Sequence, residues 1–288
     1  MTKPLNVLLL AAEAEPFVKV GQIGETTSGL AQALHKLPDK IRDGSSLDVR
    51  LALPHHAVIK ADARPLAIFP LPRAGGDVSV QISETNLNGM TVYLIGGEPI
   101  AALGTVYSSN AALEAEKYAF FCLAALQLPR VLNWPVDIVH AFENQTALAA
   151  YSILLARWKG EATLRSVLSI DSLSALGSDA TRALAAYDLP VTHTDLPDFA
   201  QSLALPLGLF SADRIILPSA SFAQEILTPK FGEGMDGFLH RHKDALRGIL
   251  GGIDLESFDP ANDKAIPFQY TAANLSIREK NKTSLQEN

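Results

Sequence analysis

Apolar residues in this chain come in short unbroken blocks separated by helix-length stretches of mixed polarity. Residues Asn6 to Ala12, Asp48 to Leu53, Val136 to Ala141, Leu164 to Ile170 and Ile215 to Leu217 read as strands buried on both faces of a parallel sheet. Between them lie helical patterns. Thr26, Thr27 or Ser28 can cap a helix that places Leu30, Ala33, Leu34 and Leu37 on one face. Asn110 to Leu128 predicts an amphipathic helix with Leu113, Tyr118, Phe121, Ala125 and Leu128 available for burial, and further helices are predicted over Thr146 to Trp158, Ala180 to Tyr187 and from Ser219 onward. VSVQI and MTVYLIG flank Asn86-Leu87-Asn88-Gly89, which predicts an antiparallel hairpin at a sheet edge. Strands alternating with helices define an α/β doubly wound sheet, whose βαβ units are right-handed.

Ligands in such sheets sit beyond the carboxyl ends of the strands. Residues Glu13 to Gly24, His140 to Glu143, Asp171, and Ser219 to Ser221 all fall there. Towards the other end, Phe231 to Tyr270 holds Gly232, Gly234 and Gly237 around Glu233 and Asp236, then a short strand Leu246 to Leu250, then the turn Gly251-Gly252-Ile253-Asp254. Glycine turns flanking a short strand suit either a backbone that passes close to a ligand or an ordinary tight connection.

The 288 residues are 48% hydrophobic, enough for one large core or two small ones. A net charge of −7 without a basic block argues against nucleic-acid and anionic-membrane partners. The start, MTKPLNVLLLAAEA, is too short in its apolar part for a signal peptide, and no apolar run approaches the ~20 residues that span a bilayer. Cys122, the lone cysteine, lies in FFCLAAL and reads as a core residue of a reduced, cytoplasmic protein. His55, His56, His240 and His242 lack acids or cysteines at ligand spacing, which predicts solvated loops; no metal and no cofactor is expected.

FGEGMDGFL, RGILGGID, DPANDKAIPFQYTAANL and KNKTSLQ resemble the FGEGLDGLL, GILNGID, NPATD and NK-x-x-LQ segments of bacterial glycogen and plant starch synthases. These form glycosyltransferase family 5, with a two-lobed GT-B fold. The resemblance extends along the chain and implies that residues 1–265 are the Rossmann-like N-terminal lobe and 266–288 a linker or tail. Where the family has KTGGLADV, this chain has Lys19-Val20-Gly21-Gln22-Ile23-Gly24-Glu25-Thr26. Where it has DIVHAHDWQTAL, this chain keeps His140, Gln145 and Thr146 but carries Phe142, Glu143 and Asn144. Where it has TVHNLAYQG, the histidine that contacts the transferred glucose is Asp171, which could instead cap a turn or a helix starting near Ser178. Gly251 replaces the asparagine before Gly-Ile-Asp.

By this resemblance Lys19, Gly21, His140, Glu143, Asp171, Ser219, Gly252 and Asp254 are cleft candidates, and the cleft takes an α-glucan or a nucleotide sugar. The second lobe, which in the family binds most of the nucleotide and clamps the leaving diphosphate, has no counterpart in these 288 residues. The expectation is a lobe that binds glucan, or a partner of glycogen metabolism, without catalysis. Its uncovered face would suit a protein partner or a homodimer. Half of a split synthase using ADP- or UDP-glucose is the second reading and a self-sufficient synthase the third. Another Rossmann-like sugar-nucleotide enzyme would need a Gly-x-Gly-x-x-Gly after Ala12, which is absent.

Overall fold

A computed structural model describes residues 4–38, 46–191, 194–254 and 258–287. The opening Met1 to Lys3 and the last residue, Asn288, lie outside them. The chain divides into two units, Met1–Leu250 and Gly251–Asn288. The first is built on strands β1 (Leu5–Leu10), β2 (Leu47–Pro54), β3 (Arg64–Leu71), β4 (Val78–Leu87), β5 (Met90–Gly96), β6 (Ile138–Phe142), β7 (Arg165–Ser169), β8 (Arg214–Leu217) and β9 (Leu246–Gly248). Its helices are α1 (Gln22–His35), α2 (Glu98–Ala101), α3 (Ala111–Ala125), α4 (Leu128–Val131), α5 (Glu143–Thr146), α6 (Leu148–Trp158), α7 (Thr181–Ala186), α8 (Ala204–Ser211), α9 (Ala220–Glu225) and α10 (Asp236–Arg241). The second unit holds a 3₁₀ turn, Ala272–Ile277, and α11 (Arg278–Glu287).

The strands form one sheet in the order β3-β4-β5-β2-β1-β6-β7-β8-β9. From β5 to β9 all pairs are parallel; β3, β4 and β5 are antiparallel, as the hairpin pattern predicts. β3 is an edge and carries Pro65 and Pro70, which cannot donate to a further strand. Alternation along β1 sets the two faces: Leu8 and Leu10 join the core under α3, α6 and α8, and Val7 and Leu9 join the core under α1. Chain order reverses across β1, which has β2 on one side and β6 on the other, so the switch point lies at the carboxyl ends of β1 and β6.

Two helices differ from their sequence pattern. α1 begins at Gln22, four residues before the predicted cap; Thr27 and Ser28 are buried within it, and Gly21 is the N-cap without a side-chain bond. The reason lies elsewhere in the chain: the Glu13 carboxylate accepts the Val20 and Gly21 amides and takes the place of a local cap. α3 is capped by Asn110, whose side chain accepts from the Ala112 and Leu113 amides at 3.2 Å. Leu113 is 41% exposed, while Phe120, Phe121 and Cys122 are fully enclosed because α3 is covered by the sheet on one side and by α6 and α7 on others.

At the amino ends of β7 and β8, away from the switch point, Asp213 ties three elements. It accepts from the Ser166 amide (2.9 Å), from Arg157 Nη1 (2.9 and 3.1 Å) and from Arg165 Nη1 (3.1 Å). Burial raises its pKa, but the Ser166 amide and the two arginines outweigh burial and hold it below the usual carboxylate range. Asp213→Ala is expected to cost about 2 kcal/mol, since it leaves the Ser166 amide and Arg157 unpaired. Urea unfolding at pH 7 measures this, and a loss below about 0.5 kcal/mol would contradict it.

Candidate functional site

The site is assembled from loops leaving β1, β5, β6 and β7. After β1 the chain turns through residues 11–21 around buried Glu13, whose Oε1 accepts from the Tyr107 hydroxyl at 2.6 Å and whose Oε2 accepts from the Gly21 amide at 3.0 Å. A Cβ on Gly24 would stand 3.2 Å from Glu13 Oε2 and 3.3 Å from the Val18 carbonyl, so a bare glycine lets α1 start against this carboxylate. Burial and the Glu13 bond raise the Tyr107 pKa, keeping its phenol a donor. His56 is also buried here; its Nε2 donates to the Ala12 carbonyl at 2.9 Å, and burial lowers its pKa to about 4. The solvated loop predicted for His56 is therefore wrong: the strand β2 runs on to Pro54 and carries the ring back under the β1 exit. His242 is likewise engaged, 3.0 Å from Asp195 and tilted over Phe238, while His240 is exposed as expected but on α10 rather than in a loop.

At the end of β6, His140 is buried and stacked on Phe142, with ring centroids 4.6 Å apart, and its Nε2 lies 2.7 Å from Ser169 Oγ on the neighbouring strand. Burial lowers its pKa to about 4, so the ring is a neutral strut. Glu143 follows in the left-handed region, φ +60°, a conformation that costs a non-glycine residue about 1–2 kcal/mol. Its Oε1 accepts from the Asp171 amide at 2.6 Å. Burial raises the Glu143 pKa to about 7, the Asp171 amide opposes this, and the Asp171 charge adds to it. Burial also raises the pKa of Asp171. Asp171 does not cap a helix at Ser178, because no helix begins there; Asp179 instead accepts from the Thr181 amide (2.8 Å) and hydroxyl (2.6 Å) at the start of α7.

Two hollows flank these groups. A cavity of about 510 Å³ is lined by Tyr107, Glu114 and Tyr118 on one side, Asn144 and Gln145 below, and the 174–178 loop on the other. A second, of about 560 Å³, lies between residues 16–20 and residues 104–107, with Tyr107 again in its wall. Of the residues singled out in the sequence, Glu143 and Asp171 come together through one hydrogen bond and stand beside, not within, the lining of the first cavity. Lys19 lines the second cavity, but its ammonium is paired with Glu25 and lies 3.6 Å from Glu15; the Glu25 bond, more than burial opposes it, raises its pKa. Gly21 is exposed at the α1 cap. Ser219 caps α9, accepting from the Phe222 amide at 3.0 Å and lying 2.9 Å from Ser221 Oγ. Gly252 and Asp254 belong to the second unit and are exposed there. Tyr107, Glu114 and Lys117 were not predicted as site residues, and Glu13 only as the start of the stretch beyond the first strand. The signal for Glu13 was an acid, with Glu15 two residues on, at the exit of an otherwise apolar strand; nothing in the sequence pairs it with Tyr107, 94 residues on. Among the described residues no three His, Cys, Asp or Glu side chains gather as a metal site, and no helix is long and apolar enough to cross a membrane.

An open, mostly parallel sheet whose loops gather at the switch point has a Rossmann-like architecture, and it matches the GT-B catalytic domain of a starch synthase. The family described as starch synthase catalytic domain matches residues 6–241, and the chain belongs to it. Glycogen synthase of Lachnospira eligens is 32% identical over 98% of this chain, and that of Lacticaseibacillus casei 30% identical over 98%. The catalytic domain of starch synthase IV from Arabidopsis thaliana, bound to ADP and acarbose, superposes with a TM-score of 0.81 at 25% identity, covering 99% of this chain. In each case the chain spans 59% of the length of the protein it matches, so it corresponds to a glycogen or starch synthase-like N-terminal domain.

Proposed function

We propose that this lobe holds an α-glucan in the hollow beyond β6 and β7, and that residues 1–288 by themselves do not transfer glucose from a nucleotide sugar. The observation that carries the reading is the Glu143–Asp171 contact: the carboxylate beside the cavity accepts from the backbone of Asp171 rather than facing a ligand with both oxygens. Asp171 brings a second carboxylate to the same place. At about 6 Å and an effective dielectric near 20, one such charge repels one phosphate charge by roughly 3 kcal/mol, whereas a neutral glucan is unaffected. The neighbouring cavity supplies what a sugar uses: the side chains of Glu114, Asn144 and Gln145 as polar partners and two tyrosine rings as flat walls. The likeness to a starch synthase bound to acarbose supports the ligand class.

A second reading is favoured by the 59% coverage of the relatives: the lobe works with a further lobe that supplies the donor site. Both are tested on the purified 288-residue polypeptide. Calorimetric titration with acarbose and maltoheptaose is expected to show saturable binding. Labelled glucose from ADP-glucose or UDP-glucose is expected to enter glycogen no faster than in the absence of protein. Incorporation well above background that disappears in Lys19→Ala would overturn the non-catalytic reading. Incorporation that appears only when a relative's second lobe is added would favour the two-part enzyme.

A further inference from the structure

Lys117 has no solvent contact, in a helix whose other enclosed residues are apolar or aromatic. Its Nζ lies 2.9 Å from Glu114 Oε2 and 4.5 Å from the centre of the Tyr118 ring, and it donates to the Val106 carbonyl. The Tyr118 hydroxyl donates to the same carbonyl at 2.9 Å. Burial lowers the Lys117 pKa and the Glu114 carboxylate opposes the shift. An apolar side chain would fill this space without burying a charge, so the packing alone does not call for lysine. What the lysine adds is direction: with Tyr118 it takes both lone pairs of one backbone oxygen and fixes the peptide that leads into Tyr107. Tyr107 then reaches the other way, to Glu13, and Glu13 in turn holds the Val20 and Gly21 amides at the entry to α1. α3, the 104–107 segment, the β1 exit and the α1 entry are thus joined by one line of charge-assisted bonds. Tyr107 is the one member that lines both cavities, and neither Lys117 nor Glu13 lines either.

We propose that Lys117 and Glu13 are positioning residues that act from opposite sides on Tyr107, holding it as the wall between the two cavities and so fixing the shape of the cleft. The part of this that concerns sugar rests on the glucan-binding reading above; the mechanical part does not.

The test therefore has two readouts. In Lys117→Met, amide hydrogen exchange at Val20 and Gly21 is expected to rise about tenfold, though these residues touch the lysine only through Val106, Tyr107 and Glu13, while exchange in β6 stays as in the natural chain. Lys117→Arg, which keeps a donor cation, is expected to restore most of the protection. Tyr107→Phe removes a single hydroxyl from the line and is expected to loosen the same two amides, which keeps the test decisive if Lys117→Met does not fold. Unchanged exchange at Val20 and Gly21 in either variant overturns the proposal. Acarbose affinity is expected to fall about tenfold in Lys117→Met and to recover in Lys117→Arg; equal affinity in all three proteins overturns the role in shaping the cleft. A natural chain that does not bind acarbose at all refutes the glucan reading, and the exchange rates still decide the coupling.

Discussion

Lowering the pH from 7 to 5 is expected to remove about 1.5 kcal/mol of folding stability from this chain, and about 4 kcal/mol from Glu143→Gln. Two buried histidines and one half-buried carboxyl group set these values. His56 and His140 have pKa values lowered to about 4 by burial. Their unfolded counterparts take up a proton near pH 6.5, so the unfolded state binds more protons between about pH 6.5 and 4, and stability falls as the pH falls through that window. Each ring contributes nearly 2 kcal/mol of loss between pH 7 and 5. Glu143 acts in the opposite sense. Its folded pKa is raised to about 7, again first by burial, so in the same range the folded state holds a proton that the unfolded state has released. Its contribution is fully present below about pH 4.5 and is lost as the pH rises through 7, offsetting roughly 2 kcal/mol of the histidine effect. The lowered pKa of exposed His55 adds to the histidine side, and the raised pKa of Asp171 to the carboxyl side. Asp213, Asp195 and Asp179, all lowered, act below about pH 4 and do not enter. Glutamine keeps an oxygen to accept the Asp171 amide but cannot titrate, so the variant removes the Glu143 part of the opposing carboxyl effect and leaves only that of Asp171. Urea unfolding at pH 5, 6 and 7 reads it out; parallel pH profiles for the two proteins would show that Glu143 does not titrate in this range.

The architecture was legible because each strand announces itself locally. Runs such as Val7 to Ala12 bury both faces, and that pattern needs no knowledge of the partner strand. The hairpin Val78–Leu87 to Met90–Gly96 was legible for the same reason, its turn residues being adjacent. The site was legible only as a location. Sequence placed Glu143 and Asp171 at the ends of β6 and β7, but not the bond between them, which depends on the parallel register that sets Phe142 opposite Ser169. It could not show that the cap of α1 comes from Glu13 or that His56 folds under the β1 exit. Such contacts are set by sheet order, and sheet order is a property of the whole chain. Lys117 was invisible for a further reason: a lysine at one position of an amphipathic pattern is read as solvated, and its partner outside α3 is the Val106 carbonyl of the 104–107 segment, which no local pattern brings to it.

Gly248→Ala is expected to cost more than about 3 kcal/mol, whereas Gly251→Ala, three residues on, should change stability by less than about 0.5 kcal/mol. The sequence places Gly248 inside the short strand and Gly251 in the turn that follows it, and a ligand at close range was one explanation for the turn glycines. The structure separates them. A Cβ on Gly248 would fall 2.3 Å from the Ser219 carbonyl oxygen, 2.4 Å from Ala220 Cα and 2.5 Å from its amide nitrogen. All three are backbone atoms, fixed by the cap that Ser219 places on α9 and by the pairing of β8 with β9, so none can turn aside as a flexible side chain would. Relief requires β9 to move off the edge of the sheet, breaking its pairing with Ile215 to Leu217, or α9 to lose its first turn. Gly251 has no atom within 4 Å of its built Cβ, and its φ lies outside the range that favours glycine. The close approach that demands glycine is thus made to the chain's own helix terminus. The same holds upstream at Gly232, where a Cβ would meet Asp236 Cβ at 2.7 Å and the Ile226 carbonyl at 2.8 Å. Urea unfolding of the two variants beside the natural chain decides the matter. A Gly248→Ala protein within 1 kcal/mol of the natural one would mean that β9 yields without cost, and that the glycine is kept at this position for something other than packing.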